Sequence, residues 1–152
     1  MNNRPISKNK PNIDLSEVRI LIVDDSAADR YLIRSILAKA KMKNVQEAES
    51  GSAAIFKIQT ANDARKDFDL VISDWNMPGK NGMDLLKFIR SDKMLKHIAV
   101  IMVTSVADGD RVAESLKVGI DDFIVKPVEH SVLVEKVEKI LFRRKELHKI
   151  SS

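Results

Sequence analysis

Asp74 is the residue whose surroundings in the sequence most clearly indicate chemistry. It follows the run 70–72, which reads Leu-Val-Ile and is typical of a strand that is buried on both faces. After Asp74 the chain continues with Trp-Asn-Met-Pro and then with two glycines, and such residues favour a loop. Open α/β sheets bind their ligands at the edge where strands end in this way. We therefore predict that Asp74 is the chemical centre of the protein.

Polar side chains of several types follow the other predicted strands. In a parallel sheet these strand ends lie at one edge, so residues about a hundred positions apart converge on one pocket. Any one of them alone is more often a helix cap, a turn residue or a solvated surface group. Their common position at strand ends is what predicts a site. The residues concerned are Asp24, Asp25, Asp74, Thr104, Ser105 and Lys126.

The residue types at these strand ends suit the transfer of a phosphoryl group. Crowded carboxylates repel one another, and a bound cation relieves that repulsion. Because the predicted pocket offers oxygen ligands without histidine or cysteine, we expect the cation to be Mg²⁺. The ammonium of Lys126 can bind a phosphoryl oxygen, and the hydroxyl of Thr104 can donate a further hydrogen bond. Since a carboxylate can accept a phosphoryl group covalently, the pattern predicts phosphoryl transfer onto Asp74.

The elements that must position these residues alternate regularly between strand and helix. Five runs with strand character are each followed by a segment whose apolar residues have helical spacing. Regular alternation of this kind predicts an α/β fold, a doubly wound parallel sheet with right-handed crossovers and helices on both faces. The predicted strands are 19–23, 45–48, 70–72, 98–103 and 122–125, and the last helix is predicted at about 129–149.

The composition is that of a soluble globular domain, with 44% hydrophobic and 32% charged residues among 152. There is no cysteine, which excludes disulfides, thiolate-bound zinc and a cysteine nucleophile. Without a membrane-length apolar run or a signal peptide, we expect a cytoplasmic protein that does not insert into membranes. The net charge of +4 is spread along the chain rather than gathered in a basic stripe, which argues against direct binding of nucleic acid.

The chain is predicted to consist of one domain and a short leader. Residues 1–17 are rich in Asn, Lys and Pro and are expected to form a flexible N-terminal leader, in which Ile13 and Leu15 touch the domain. Residues 18–149 are expected to form the domain itself. We expect no output domain after it, so that any signal must pass through protein contacts.

Taken together, these residues resemble the receiver domain of two-component response regulators, especially the CheY-like single-domain receivers of the chemotaxis type. The resemblance covers about residues 18–141 and implies a flavodoxin-like fold with the strand order 2-1-3-4-5. Asn81 stands where many receivers have Asp, which is a small change in a loop. Val106 stands where the chemotaxis receiver has an acid; with Asn76 it flanks the family's water path to the phosphoryl group, which leaves the dephosphorylation rate and the phosphatase open. The matching residues are Asp24, Asp25, residues 74–78, Gly82, Thr104, Ser105, Lys126 and Pro127.

The resemblance implies a role for each acidic residue of the predicted pocket. Asp74 would take a phosphoryl group from the phosphohistidine of a histidine kinase or of a histidine phosphotransfer protein. Asp25 and Asp74 would bind Mg²⁺ through their carboxylates. Asp24 would bind the same ion largely through water, and Asn76 would bind it through its backbone carbonyl. The protein would then be a phosphoacceptor that catalyses its own phosphorylation and dephosphorylation, and not a turnover enzyme.

The resemblance also implies how the phosphoryl group would be sensed. Lys126 would pair with the acceptor and would precede a cis peptide bond to Pro127, an isomer accessible mainly before proline. Thr104 would turn toward the phosphoryl group. Phe123 matches the family's aromatic switch, although an ordinary core phenylalanine explains it nearly as well. The face formed by helix 4, strand 5 and helix 5, about residues 108–149, would bind a downstream protein, and the receiver would be a monomer or a phosphorylation-dependent dimer.

Other functions share part of this pattern. A receiver-like scaffold that is never phosphorylated is an alternative, but it would not require the complete set of strand-end residues. A phosphatase of the haloacid dehalogenase type also uses a nucleophilic Asp and Mg²⁺, yet it needs a second acid two residues later, where this chain has Asn76. A dinucleotide-binding Rossmann domain is disfavoured because no glycine-rich loop follows the first strand.

Overall fold

Strands and helices alternate along the part of the chain that the computed structural model describes, residues 13–105 and 108–150. Val106, at which the sequence departs from the chemotaxis pattern, and residues 1–12 of the predicted leader lie outside the described residues. The strands are β1 (Ile20–Val23), β2 (Val45–Ala48), β3 (Leu70–Asp74), β4 (Ala99–Thr104) and β5 (Asp122–Val125). The helices are α1 (Ala27–Lys39), α2 (Gly51–Asp63), α3 (Gly82–Ser91), α4 (Gly109–Val118) and α5 (His130–Ile150).

The described strands form one parallel sheet in the order β2-β1-β3-β4-β5. The predicted doubly wound sheet and the flavodoxin-like strand order 2-1-3-4-5 are therefore confirmed. In the centre of the sheet, Val23 of β1 lies opposite Ser73, and Asp74 lies opposite Val103 of β4. Because β1, β3 and β4 are neighbours in parallel, their carboxyl ends meet at one edge although the chain reaches them far apart.

Two apolar clusters cover the two faces of the sheet. Side chains alternate between the faces of a strand, so Ile20 and Ile22 of β1 belong to one cluster and Leu21 and Val23 to the other. The first cluster contains residues of α1 and α5, and the second contains residues of α2 and α3. Each buried aliphatic side chain contributes about 1.5–3 kcal/mol. The site therefore stands at the end of strands that are packed firmly from both sides.

The last helix, α5, packs on the sheet through an apolar stripe at helical spacing, as predicted. Charged side chains occupy other positions along the helix, so it is amphipathic rather than uniformly apolar. Within residues 13–105 and 108–150, no helix combines the length and the hydropathy that crossing a bilayer requires. The buried stripe consists of Leu133, Val137, Ile140 and Leu141.

Residues 13–17 form a turn that packs on the domain. Ile13 and Leu15 contact the first apolar cluster, as predicted. The carboxylate of Asp14 accepts hydrogen bonds from the amide of Ser16 at 3.0 Å and from its hydroxyl at 2.6 Å. The amide of Glu17 donates to the carbonyl of Asp14 at 3.2 Å. These bonds close the turn and hold its two apolar side chains against the core.

Capping side chains start the helices that follow β1 and β3. At α1, the hydroxyl of Ser26 accepts a hydrogen bond from the amide of Asp29 at 3.3 Å. At α3, Asn81 and Asp84 each accept a hydrogen bond from the other's amide at 2.9 Å, which forms a capping box. Asn81 thus fills a structural role at a position where many receivers carry Asp. Both helices begin at the edge of the sheet where the strands end, which is the edge of the predicted site.

The start of α3 lies against the backbone of the loop that follows β3. The amide of Gly82 donates to the carbonyl of Trp75 at 2.9 Å. A Cβ atom at Gly82 would lie 2.5 Å from the carbonyl oxygen of Asp74 and 3.0 Å from Cα of Trp75, so the loop backbone would have to move. Gly109 begins α4 in the same way, but no atom lies within 4 Å of its Cβ position. Gly109 is therefore a control for Gly82, since both begin a helix and only Gly82 is crowded by backbone atoms.

We expect Gly82→Ala to lower the free energy of unfolding by about 1–3 kcal/mol, because the added methyl group overpacks against backbone atoms. Gly109→Ala should be neutral or should stabilise by up to about 1 kcal/mol, since alanine loses less backbone entropy on folding. Urea unfolding followed by circular dichroism measures both free energies. Equal effects of the two substitutions would contradict the close approach at Gly82.

Candidate functional site

Three carboxylates converge at the carboxyl edge of the sheet, as predicted. Asp24 and Asp25 follow β1, Asp74 ends β3, and one carboxylate oxygen of each lies within 4.8 Å of the other two. Asp24 and Asp74 are buried, with 1% and 8% of their surfaces exposed, whereas Asp25 is exposed. Buried charges of one sign require a compensating charge. This set of oxygen donors, open to solvent at Asp25, can hold a hard cation.

Asp24 is the most firmly fixed of the three. One carboxylate oxygen accepts a hydrogen bond from the amide of Ser26 at 2.8 Å, and the other accepts one from Nζ of Lys126 at 3.0 Å. Its backbone is held as well, because its amide donates to the carbonyl of Ala48 at 3.1 Å and its carbonyl accepts from Arg30 at 2.7 Å. Sequence reasoning gave Arg30 no role. Its contribution depends on α1 turning this side chain back toward the end of β1, which no local pattern reveals.

Lys126 brings a positive charge to the carboxylates from the end of β5. Its amide donates to the carbonyl of Thr104 at 2.7 Å, and the following peptide bond to Pro127 is cis, as the resemblance implied. Its Nζ atom lies 2.8 Å from Asp29, 3.0 Å from Asp24 and 3.5 Å from Asp74. Burial alone would lower the pKa of Lys126, but hydrogen bonds to Asp29 and Asp24 outweigh burial, and the pKa is raised. The side chain is therefore an ammonium over the whole physiological pH range.

Asp29 is a site residue that sequence reasoning missed. The Asp29 side chain interacts with Lys126 more closely than either predicted partner does. A usable signal was present, because Asp29 stands in the first turn of α1 and helix N-termini face the edge where the strands end. An acid in a first turn is common for the helix dipole alone, however, so the sequence could not distinguish the two roles.

The carboxyl group of Asp74 has a raised pKa. Burial is the main cause and the negative charge of Asp24 is the second, while Lys126 and the amide of Asn76 act in the opposite direction. The amide of Asn76 donates to one oxygen of Asp74 at 3.3 Å, and Lys126 approaches the other oxygen at 3.5 Å. These long contacts leave the ionised form of Asp74 only weakly compensated. A cation bound between the carboxylates would supply the compensation that the protein groups do not.

The other predicted residues lie around this centre. Thr104 is buried at the end of β4, beside Val125 in the strand register. Asn76 is exposed in the loop after Asp74, between the buried Trp75 and Met77. Phe123 is half-buried in β5 opposite Met102 and packs against the second apolar cluster. The structure thus brings together Asp24, Asp25, Asp74 and Lys126 and places Asn76 beside Asp74. It places Phe123 on β5, against the second apolar cluster.

Arg111 connects α4 to the loop after β3. Its guanidinium carbon lies 5.7 Å from the centre of the Trp75 ring, within the range of a cation–π contact. Its NH1 group donates to the side-chain oxygen of Asn76 at 3.2 Å. Trp75 is 7% exposed, so the guanidinium covers a buried ring next to Asp74. Nothing in the sequence indicates this contact, because it depends on the relative rotation of α4 and the loop.

Comparison with known proteins places this architecture in one family. The family model for the response regulator receiver domain matches residues 20–138. The chemotaxis protein CheY of Pseudomonas aeruginosa is 40% identical over 126 residues, which are 83% of this chain and 98% of that protein. The chemotaxis protein CheY1 of Helicobacter pylori is 41% identical over 124 residues, which are 82% of this chain and 97% of that protein.

A solved structure agrees with these relatives. The structure of the chemotaxis protein CheY4 of Vibrio cholerae superimposes with a TM-score of 0.73 at 29% identity, and the match covers 81% of this chain and 98% of that chain. The matched region, residues 20–138, contains all five described strands of the sheet. It also contains the three carboxylates at the sheet edge and Lys126, which follows β5. This chain belongs to the response regulator receiver domain family and is a CheY-like member of it.

Proposed function

We propose that Asp74 accepts a phosphoryl group from the phosphohistidine of a histidine kinase or of a histidine phosphotransfer protein, and that the phosphorylated chain signals by binding a protein. The observation that carries this proposal is the meeting of three carboxylates and the ammonium of Lys126 at one edge of the sheet. One carboxylate can act as the nucleophile, while the other groups balance charge. The protein is on this view a cytoplasmic switch and not a turnover enzyme.

The transfer needs an oxygen nucleophile that stays in place. An oxygen of ionised Asp74 attacks phosphorus while the bond between phosphorus and the donor's imidazole nitrogen breaks. The bonding electron pair stays on that nitrogen, and Asp74 becomes an acyl phosphate. Because Asp74 ends the buried strand β3, its carboxylate is held in position rather than mobile in solvent. Burial raises the pKa of Asp74, so groups that favour its ionised form also favour the reaction.

The donor set around Asp74 fits Mg²⁺. Asp25 and Asp74 would bind it through their carboxylates, Asn76 would contribute its backbone carbonyl, and Asp24 would act largely through water. When bound, the ion neutralises charge on the phosphoryl oxygens. Lys126, whose Nζ lies 3.5 Å from Asp74, would contribute a positive charge to the same oxygens. Thr104, buried at the end of β4, is the proposed hydroxyl donor.

The face formed by α4, β5 and α5 is the proposed surface for a downstream protein. Leu116 of α4 and Val125 of β5 are exposed there, with 60% and 42% of their surfaces open. Phe123 of β5 is half-buried, packs against the second apolar cluster and is the proposed switch. Relatives named as chemotaxis proteins support a chemotaxis role. The protein acts as a monomer or as a dimer that forms on phosphorylation. The charge of the chain is dispersed, which gives no support to binding of nucleic acid.

Mg²⁺ should stabilise the protein, because it binds the folded carboxylate cluster and not the unfolded chain. At a concentration of 100 times its Kd, the expected gain is about 2.7 kcal/mol. Urea unfolding with Mg²⁺ and with EDTA measures the gain, and the fluorescence of Trp75, beside the cluster, gives the Kd. Asp25→Asn should lose most of this gain. Asp63→Asn, which removes an exposed carboxylate at the end of α2, should keep it. If Mg²⁺ stabilised Asp25→Asn as much as the wild type, the proposed magnesium site would be contradicted.

Incubation with acetyl phosphate and Mg²⁺ should add one phosphoryl group to Asp74. Mass spectrometry of the intact protein should show the added mass in the wild type, and EDTA should abolish it. Asp74→Asn should not be labelled, because an amide cannot form the acyl phosphate. Lys126→Ala should still bind Mg²⁺ but should be labelled more slowly, on the order of 10²-fold, since a fixed positive charge is lost. Labelling of Asp74→Asn would contradict Asp74 as the acceptor, and an unlabelled wild type would favour the alternative of a receiver-like scaffold.

A further inference from the structure

The ammonium of Lys126 is divided unequally among three carboxylates. Its shortest contact is to Asp29 at 2.8 Å, its contact to Asp24 is 3.0 Å, and its contact to Asp74 is 3.5 Å. The last distance is at the limit of a hydrogen bond. In this state of the protein, the lysine is therefore bound chiefly to the two acids that do not react.

A phosphoryl group on Asp74 changes what Lys126 must contact. An ammonium has three N–H donors and no acceptor, and all three are directed at carboxylates here. To donate to a phosphoryl oxygen, Nζ must weaken its contact with Asp24 or with Asp29. Which contact yields depends on what happens to the carboxylate that is left behind.

The contact with Asp29 is the less costly one to break. The side chain of Asp24 is 2% exposed, so losing Lys126 would leave a buried charge short of compensation. The side chain of Asp29 is 40% exposed, so water can replace the ammonium. Asp29 also contributes no oxygen to the cluster of Asp24, Asp25 and Asp74. It can release the lysine without disturbing the proposed metal ligands.

We infer that Asp29 is a positioning residue that holds Lys126 away from the acceptor in the resting protein and thereby opposes the phosphorylated state. This inference rests on the proposed function of Asp74. Releasing Lys126 is a cost of phosphorylation that a chain without an acid at this position does not have. Replacing Asp29 by an uncharged side chain should therefore favour the state with a phosphoryl group on Asp74.

The first measurement tests the resting ion pair without any phosphoryl chemistry. In EDTA, unfolding of the wild type, Asp29→Asn, Lys126→Ala and the double variant forms a double-mutant cycle. We expect a favourable coupling of about two- to fivefold in the unfolding equilibrium constant, the range of an ion pair with one exposed partner. Absence of coupling would overturn the inference whatever the function of Asp74.

The second measurement tests the effect on the phosphorylated state. Beryllofluoride with Mg²⁺ imitates the phosphoryl group, and the fluorescence of Trp75 follows its binding. Asp29→Asn should tighten beryllofluoride binding about two- to fivefold, as expected when a competing exposed ion pair is removed. Asp29→Glu, which restores the charge, should return affinity toward the wild type. In the Lys126→Ala background, Asp29→Asn should have no effect, because no ammonium remains to be released.

Matched controls separate this role from a general effect of charge. Asp110→Asn removes an exposed acid from the first turn of α4, as Asp29→Asn does from the first turn of α1, and should leave beryllofluoride affinity unchanged. An unchanged or weaker affinity for Asp29→Asn, or an equal gain in the Lys126→Ala background, would overturn the inference while the proposed function stands. A wild type that binds no beryllofluoride and is not labelled by acetyl phosphate would overturn both.

Discussion

The balance of charge at the carboxyl edge of the sheet is the constraint on which the rest of the structure depends. Asp24 and Asp74 are two nearly buried carboxylates that lie close together, so burial first and the charge of Asp24 second raise the pKa of Asp74. Only a nearby positive charge makes such an arrangement tolerable. Lys126 supplies that charge from a different strand. Removing one partner of a buried ion pair typically costs about 3–5 kcal/mol, far more than the net worth of an exposed pair. The charged residues of the site therefore affect the stability of the fold as well as the proposed reaction.

The fold supplies this balance through register and not through local sequence. β1, β3 and β4 are adjacent and parallel, so one step of misalignment would move Asp74 away from Asp24 and reverse its face. Packing from both apolar clusters fixes the register, because every residue of β1, β3 and β4 is buried. The bond from Lys126 to the carbonyl of Thr104 then places the lysine relative to β4. A rigid scaffold is what allows charges of one sign to be held together at all.

The sequence predicted two features of the molecule: the regular alternation of strands and helices, and the polar residues at the ends of the strands. Alternation of apolar runs predicted the parallel sheet, and the polar residues after the runs predicted Asp24, Asp25, Asp74 and Lys126 as one group. The strand order came only from the resemblance, because alternation is compatible with several orders. Asp29, Arg30 and Arg111 were missed for a common reason. Each acts from a helix, and which partner its side chain reaches depends on the rotation and tilt of that helix on the sheet, which single-residue patterns do not encode.

The contacts around Asp74 also determine which elements respond when its charge changes. Asn76 contacts Asp74 through its amide and Arg111 of α4 through its side chain, so the loop after β3 is bonded to a helix of the proposed signalling face. Lys126 forms a second connection, because its amide is bonded to Thr104 and it directly follows the last strand, β5, of that face. A charge added at Asp74 would pull on both connections at once. Arg111 joins α4 to the loop through an exposed side-chain hydrogen bond, whereas β5 is joined to β4 by the backbone pairing of the sheet. We therefore expect α4 to move more readily than β5 when the charge at Asp74 changes.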